Sequence, residues 1–173
     1  MERDLVNVDE SYVLARVIEA INDSILAIDL FKKGITRNSA GKAFSSVKLL
    51  LSALVVRYEG KLIELGSNEE KTWLRTKGHL VPTYSMKMLS NYFKRIGINI
   101  DILVEKALDL HEYQYNGFEP DFSRYRRKED VKADLVEVVS QIPELVEKYF
   151  SDIREREVEL LAERLKEELK SLS

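Results

Sequence analysis

The sequence predicts an all-α protein, an up-and-down helical bundle of four to five core helices with an additional charged C-terminal helix. Three observations lead there. Apolar residues recur at three- and four-residue intervals over long stretches, and no stretch shows the two-residue alternation of a half-buried strand. Only 7 Gly and 3 Pro interrupt 173 residues, so helices have few places to stop. Hydrophobic residues make up 45% and charged residues 33% of the chain, a composition that builds a core instead of a disordered chain. That length suits one bundle over residues 1–150, followed over 151–173 by an amphipathic helix packing on the bundle or on a partner.

The first helix is expected from Ser11 to Lys33, because Leu14, Val17, Ile18, Ile21, Ile25 and Ile28 fall on one face. Gly34 is placed to end it in a left-handed cap, and Asn38 or Ser39 to cap the next helix. That second helix carries Ala43, Phe44, Val47, Leu50, Leu51, Leu54, Val55 and Tyr58. It is the most apolar segment and so the expected centre, with Gly60 a point where it frays or ends. Ser67 and Glu70 stand at capping-box spacing ahead of Trp73 and Leu74. Arg75–Pro82 reads as a connection.

Pro82 and Thr83 open a third core helix with Met86, Leu89, Tyr92 and Phe93 on its apolar face, and Gly97 closes it. Asp101 is expected to cap a fourth, through Leu103, Val104, Ala107, Leu108 and His111. Asn116-Gly117 and Pro120 mark a break. A fifth helix runs from Lys128 through Val131, Leu135, Val138, Val139, Ile142, Val146, Tyr149 and Ile153, and Pro143 should kink or restart it. In the tail from Arg154 to Ser173, Val158, Leu161, Ala162, Leu165, Leu169 and Leu172 form a narrow seam close to a heptad repeat. The seam suits either a stripe on the bundle or a contact with another subunit.

Composition removes several function classes. The absence of Cys excludes disulfides, thiolate catalysis and Cys-type zinc sites, and fits a cytoplasmic setting. His79 and His111 are too few for a histidine-rich metal site, so no metal and no cofactor are expected. The longest apolar run, Leu49–Val56, is far short of a bilayer span of about 20 residues, and the acidic N-terminus has no signal-peptide pattern. No membrane association is expected. A net charge of −3 argues against generic nucleic-acid binding. Scarce Gln and absent Cys beside abundant Glu, Lys and Arg fit a thermophile. Glycine-rich phosphate loops, nucleophile elbows and paired catalytic carboxylates are missing from the sequence.

Several motifs resemble a known family. NSAGKAFSSVKLLLSALVV (Asn38–Val56) resembles the second helix of archaeal PaREP-type proteins and related HEPN domains. LHEYQYNGFEP (Leu110–Pro120), followed by SRYRRKEDVKADLVEVV, is similar to their Leu-His…Tyr…Gly turn before the long final core helix. TKGHLVPTYSMKML resembles the start of their third helix. The resemblance spans about Ser11 to Tyr149 and implies a HEPN-like bundle, commonly dimeric. It implies one of three roles: a metal-independent ribonuclease, a toxin–antitoxin partner, or a noncatalytic nucleotide- or partner-binding module. The ribonuclease branch uses an Arg, four to six residues, then a His. Here Arg75 and His79 have three residues between them; Lys106 and His111 have four, but lysine lacks the planar fork that grips phosphate.

Candidate site residues cluster at one turn. His111, flanked by Asp109 and Glu112, is a candidate base or phosphate donor with Lys106 beside it; a helix-end histidine that tethers the turn is the plainer reading. Arg124, Arg126, Arg127 and Lys128 form the one concentrated basic run, ahead of a helix start that favours anions. A solvated loop balanced by Glu129 and Asp130 is its alternative. Tyr113 and Tyr115, with Phe118, Phe122 and Tyr125, are expected to pack between helices or to line a cleft. The sequence therefore favours a noncatalytic interaction or nucleotide/RNA-binding module, a homodimer with a protein, RNA or nucleotide partner. A HEPN-type endoribonuclease using His111 is the rival.

Overall fold

The structure, a computed structural model, describes residues 2–153 and 155–172; Arg154 and Ser173, the expected limits of the tail, fall outside them. Among the described residues every regular element is helical: α1 (Glu2–Lys32), α2 (Thr36–Leu65), α3 (Asn68–Lys77), α4 (Met86–Arg95), α5 (Asp101–Asn116), α6 (Lys128–Phe150) and α7 (Arg156–Lys170). Short 3-10 turns at Gly78–Leu80, Thr83–Ser85 and Ser151–Ile153 join some of them. The all-α bundle expected from the sequence is the fold observed.

The α1–α2 hairpin is its spine. Gly34, at φ +77, takes the left-handed conformation that only glycine adopts freely. Its N–H bonds the Phe31 carbonyl at 3.0 Å and the Ile35 N–H bonds that of Leu30 at 2.9 Å, a Schellman closure. The chain therefore turns back at once, and α2 starts at Thr36, ahead of the expected cap. Neither Asn38 nor Ser39 caps it. Ser39 is buried and its Oγ donates to the Ala27 carbonyl of α1 at 2.6 Å, pinning the two helices together. α1 begins well before Ser11, since no Gly or Pro in Glu2–Glu10 stops it.

α2 is the centre, as its apolarity predicts, and touches α1, α3, α4, α5 and α6. Among the described residues it alone is long and apolar enough to cross a bilayer, yet 67% of that stretch is buried, so its apolar surface is used by the core. It runs past Gly60 to Leu65, with a kink at Tyr58 (φ −107, ψ 16). Two arginines of α2 close the ends of other helices. Arg37 donates to the carbonyls of Gln114 and Tyr115 at the end of α5; Arg57 donates to the Tyr149 carbonyl near the end of α6 and pairs with Asp152. Cations there oppose the helix dipole and satisfy orphan carbonyls.

Ser67 and Glu70 form the expected capping box. α3 absorbs Arg75, which the sequence had assigned to a connection, because the box starts a helix that runs to Lys77. Asp101 is the first residue inside α5 instead of its cap, which is Ile100. α6 does not restart at Pro143. Pro143 is buried with Val138, Val139, Ile142 and Val146, and this shared apolar face offsets the ~3 kcal/mol that an interior proline costs. α7 lies against α1 and α6, burying Val158 and Leu165, with a Lys32–Glu168 ion pair at 2.7 Å across to α1.

Candidate functional site

The turn between α5 and α6 is built on side chains that reach into the bundle. Gly41 of α2 leaves room for the end of the Gln114 side chain of α5: a Cβ there would stand 2.4 Å from Gln114 Cδ. Next to Gln114, Tyr113 is buried, its hydroxyl 2.9 Å from Thr36 Oγ1. Its ring packs at an angle to Phe118 and edge-on to Tyr125, with centroids 5.1 and 5.7 Å away. Tyr113 is thus a core residue. Tyr115, Phe118 and Phe122 are exposed on the outside of the turn.

Tyr125, also buried, donates to Asp134 Oδ2 of α6 at 2.7 Å, and burial pushes its phenol far above its ordinary range. Lys106 of α5 donates to the other oxygen of Asp134 at 2.6 Å and lies 2.9 Å from Glu137. The hydrogen bond to Asp134, then that to Glu137, raises the pKa of Lys106. Lys106 and His111 are neighbours in sequence but not in space. Five residues turn an α-helix through about 140° beyond a full circle, so Lys106 faces α6 while His111 faces α2.

His111 stacks on Phe44 of α2 with ring centroids 4.0 Å apart and planes at 25°, and Tyr115 meets it edge-on at 5.2 Å. Its Nδ1 is buried without a hydrogen-bond partner. Burial lowers its pKa and the Lys48 charge adds to that, against an opposing pull from Gln114 and Glu112. The net effect favours the neutral imidazole. It lines a cavity of about 200 Å³ with Thr83, Lys87, Asp109 and Arg124 among its walls. Arg124 pairs with Asp109 at 3.0 Å, yet burial still raises the Asp109 carboxyl above its ordinary pKa.

The rest of the basic run has partners on the protein. Arg126 donates to the carbonyls of Pro120 and Ser123, both at 3.1 Å, and so closes the loop on itself. Arg127 makes a two-pronged contact with Asp130 at 3.0 and 2.8 Å in the first turn of α6. Lys128 sits 5.5 Å from the centroid of the Phe31 ring in α1. Arg124 and Arg127 stay 61% and 69% exposed, and pairs that open to water are worth under ~1 kcal/mol, so an incoming phosphate can compete for them.

His79 contributes its backbone more than its ring. Its carbonyl accepts from Ser52 Oγ and, at 3.3 Å, from Tyr12. Among the described residues no group of three His, Asp or Glu could hold a metal ion. Sequence reasoning found His111 and Arg124 but missed their shared cavity, because only the fold of the turn joins them. It also missed Arg37, Lys48 and Asp134, which carry no motif and read as ordinary helix-surface charges.

Fold and site together define an all-helical protein built on a long helical hairpin, with a polar cavity beside its α5–α6 turn. The chain belongs to the archaeal PaREP1/PaREP8 family, which it matches over residues 15–136. That stretch runs from α1 into α6 and includes the whole His111 cavity. Neither a curated protein nor a solved structure matches the chain.

Proposed function

We propose that this protein is a noncatalytic helical binding module, HEPN-like in its bundle, acting in the cytoplasm as a homodimer that takes a nucleotide-like or RNA phosphate. The observation that carries this is the separation of Lys106 from His111. Acid–base cleavage of RNA needs a base with a phosphate-holding cation beside it. Here His111 is half-buried and stacked on Phe44, while Lys106 is held by two carboxylates on the far side of α5. The test is incubation of single-stranded RNA with the protein in a metal chelator. No cleavage by wild type or His111→Ala is expected; cleavage by wild type that His111→Ala abolishes would overturn the reading. Light scattering should give a dimer, and a strict monomer at high micromolar concentration contradicts that part of the proposal.

One observation favours the rival endoribonuclease. Arg124 lines the same cavity as His111 and supplies the guanidinium that the linear spacing lacks. In that reading His111 takes the proton from the ribose 2′-hydroxyl and Arg124 holds the scissile phosphate. The chelator assay decides between the two.

A further inference from the structure

A second cavity, of about 320 Å³, opens where α1, α2 and the Gly78–Leu80 turn meet. This is the lower end of the size range of small-ligand sites. Tyr12 and Arg16 line it from α1, Ser45, Lys48 and Ser52 from α2, and His79 from the turn. Among the described residues no Asp or Glu is in its walls.

Its two cations differ in counter-charge. Among the described residues Lys48 has no carboxylate within ion-pair distance, and its charge disfavours protonation of His111. Arg16 gives Nη1 to the outward-facing Glu19 at 2.7 Å, but its Nε is buried with no partner. A guanidinium with one exposed carboxylate partner and an ammonium with none thus share a hollow that no described Asp or Glu lines, in a chain whose net charge is −3.

The walls are also held in place. The Arg16 guanidinium lies 4.9 Å from the centroid of the Tyr12 ring. The Tyr12 hydroxyl is 2.7 Å from Ser52 Oγ, and Ser52 donates to the His79 carbonyl. The turn that carries His79 closes on Val81, which is buried at φ +44, a left-handed conformation that β-branched residues avoid, with its N–H on the Gly78 carbonyl at 3.1 Å. The same turn leaves Leu80 exposed at the rim. A rigid basic hollow in which Lys48 has no carboxylate partner and the Arg16 Nε has no acceptor points to a ligand site.

We propose that this cavity binds the phosphate of a small phosphomonoester about the size of a mononucleotide. This deepens the binding-module reading and rests on it. A phosphomonoester carries a charge near −2 at neutral pH, matching two cations, and the guanidinium fork suits its oxygens. Arg16 and Lys48 hold the phosphate, Ser45 donates to it, and Leu80 shields the organic part. An RNA phosphodiester offers one charge per phosphate on a long chain, a poorer match to a small hollow with two cations.

Calorimetric titration of the full chain with inorganic phosphate, adenosine 5′-monophosphate, adenosine and a single-stranded RNA tests this. The monophosphate should bind at least about tenfold more tightly than adenosine, and Lys48→Gln or Arg16→Gln should each weaken it by about tenfold or more. Inorganic phosphate should compete with it. Lys33→Gln, an exposed control outside the cavity, should change nothing. The proposal is overturned if neither phosphate nor monophosphate binds at millimolar concentration, or if Lys48→Gln binds as well as wild type. It is overturned in favour of an RNA surface if RNA alone binds through Lys48. A silent titration together with uncleaved RNA would retire this site and leave the noncatalytic reading standing.

Discussion

Tyr125→Phe removes one oxygen and leaves the packing of the turn untouched, so it isolates the bond from Tyr125 to Asp134. A hydrogen bond to a charged acceptor contributes about 1.5–3 kcal/mol. Asp134 is 20% exposed and keeps Lys106 as a partner at 2.6 Å, which puts the loss in the lower part of that range. We expect about 1.5–2 kcal/mol, or a fall in Tm of about 3–8 °C for a chain of this length. Urea titration followed by far-UV circular dichroism measures it. Lys106→Met in the same cycle asks whether the lysine belongs to this network. The double variant should depart from additivity by at least about 0.5 kcal/mol, because both side chains share Asp134. A Tyr125→Phe protein within ~0.3 kcal/mol of wild type would refute the contribution assigned to the phenol; strict additivity would refute the argument that Lys106 is committed to α6. It would also return Lys106 to the list of residues free to meet a phosphate.

The fold depresses the pKa of His111, so the unfolded chain takes up that proton first as pH falls. Stability from this group is intact above the unfolded value near 6.5 and declines as pH drops through it. Urea midpoints at pH 7.5 and 5.5 should therefore differ more for wild type than for His111→Gln; equal differences would mean the ring is as well solvated as in the unfolded chain. Leu165 of α7 is fully buried, and Leu165→Ala should cost about 2–4 kcal/mol in the same assay. The exposed Leu160→Ala serves as control, within about 0.5 kcal/mol of wild type. No loss at Leu165 would mean that α7 leaves the bundle in solution.

The interiors of the helices were legible because burial imposes a period on the sequence: Val17, Ile21, Ile25 and Ile28 in α1, and Phe44, Val47, Leu50, Leu51 and Leu54 in α2, are all buried. Helix ends were less legible where tertiary contact took over a local signal. Ser39 reads as a cap, but the tight Gly34 turn carries it into the interface with α1. Pro143 reads as a break, but it sits in a buried face that holds α6 together. At the site, the residue types were visible and their pairings were not. Arg124 reaches back across the turn to Asp109, and Lys106 turns toward Asp134. Lys48 and Arg16 gave no signal, since a lysine or arginine on a helix is normally solvated and only the packed structure shows that these two share a hollow.

The contact of α7 with α1 has a consequence for how the chain is made. Lys32 and Glu168, which pair across it, are 136 residues apart in sequence. At synthesis rates of ~5–20 residues per second, the strip of α1 that α7 covers stays open for roughly 7–27 s after α1 is complete. The hairpin of α1 and α2 forms from neighbouring segments in that interval, but the closing helix has to travel back across the whole molecule. Docking of α7 is thus set up to be the late, long-range step of folding, and the uncovered strip on α1 is where a nascent chain of this protein is most open to association with the wrong neighbour.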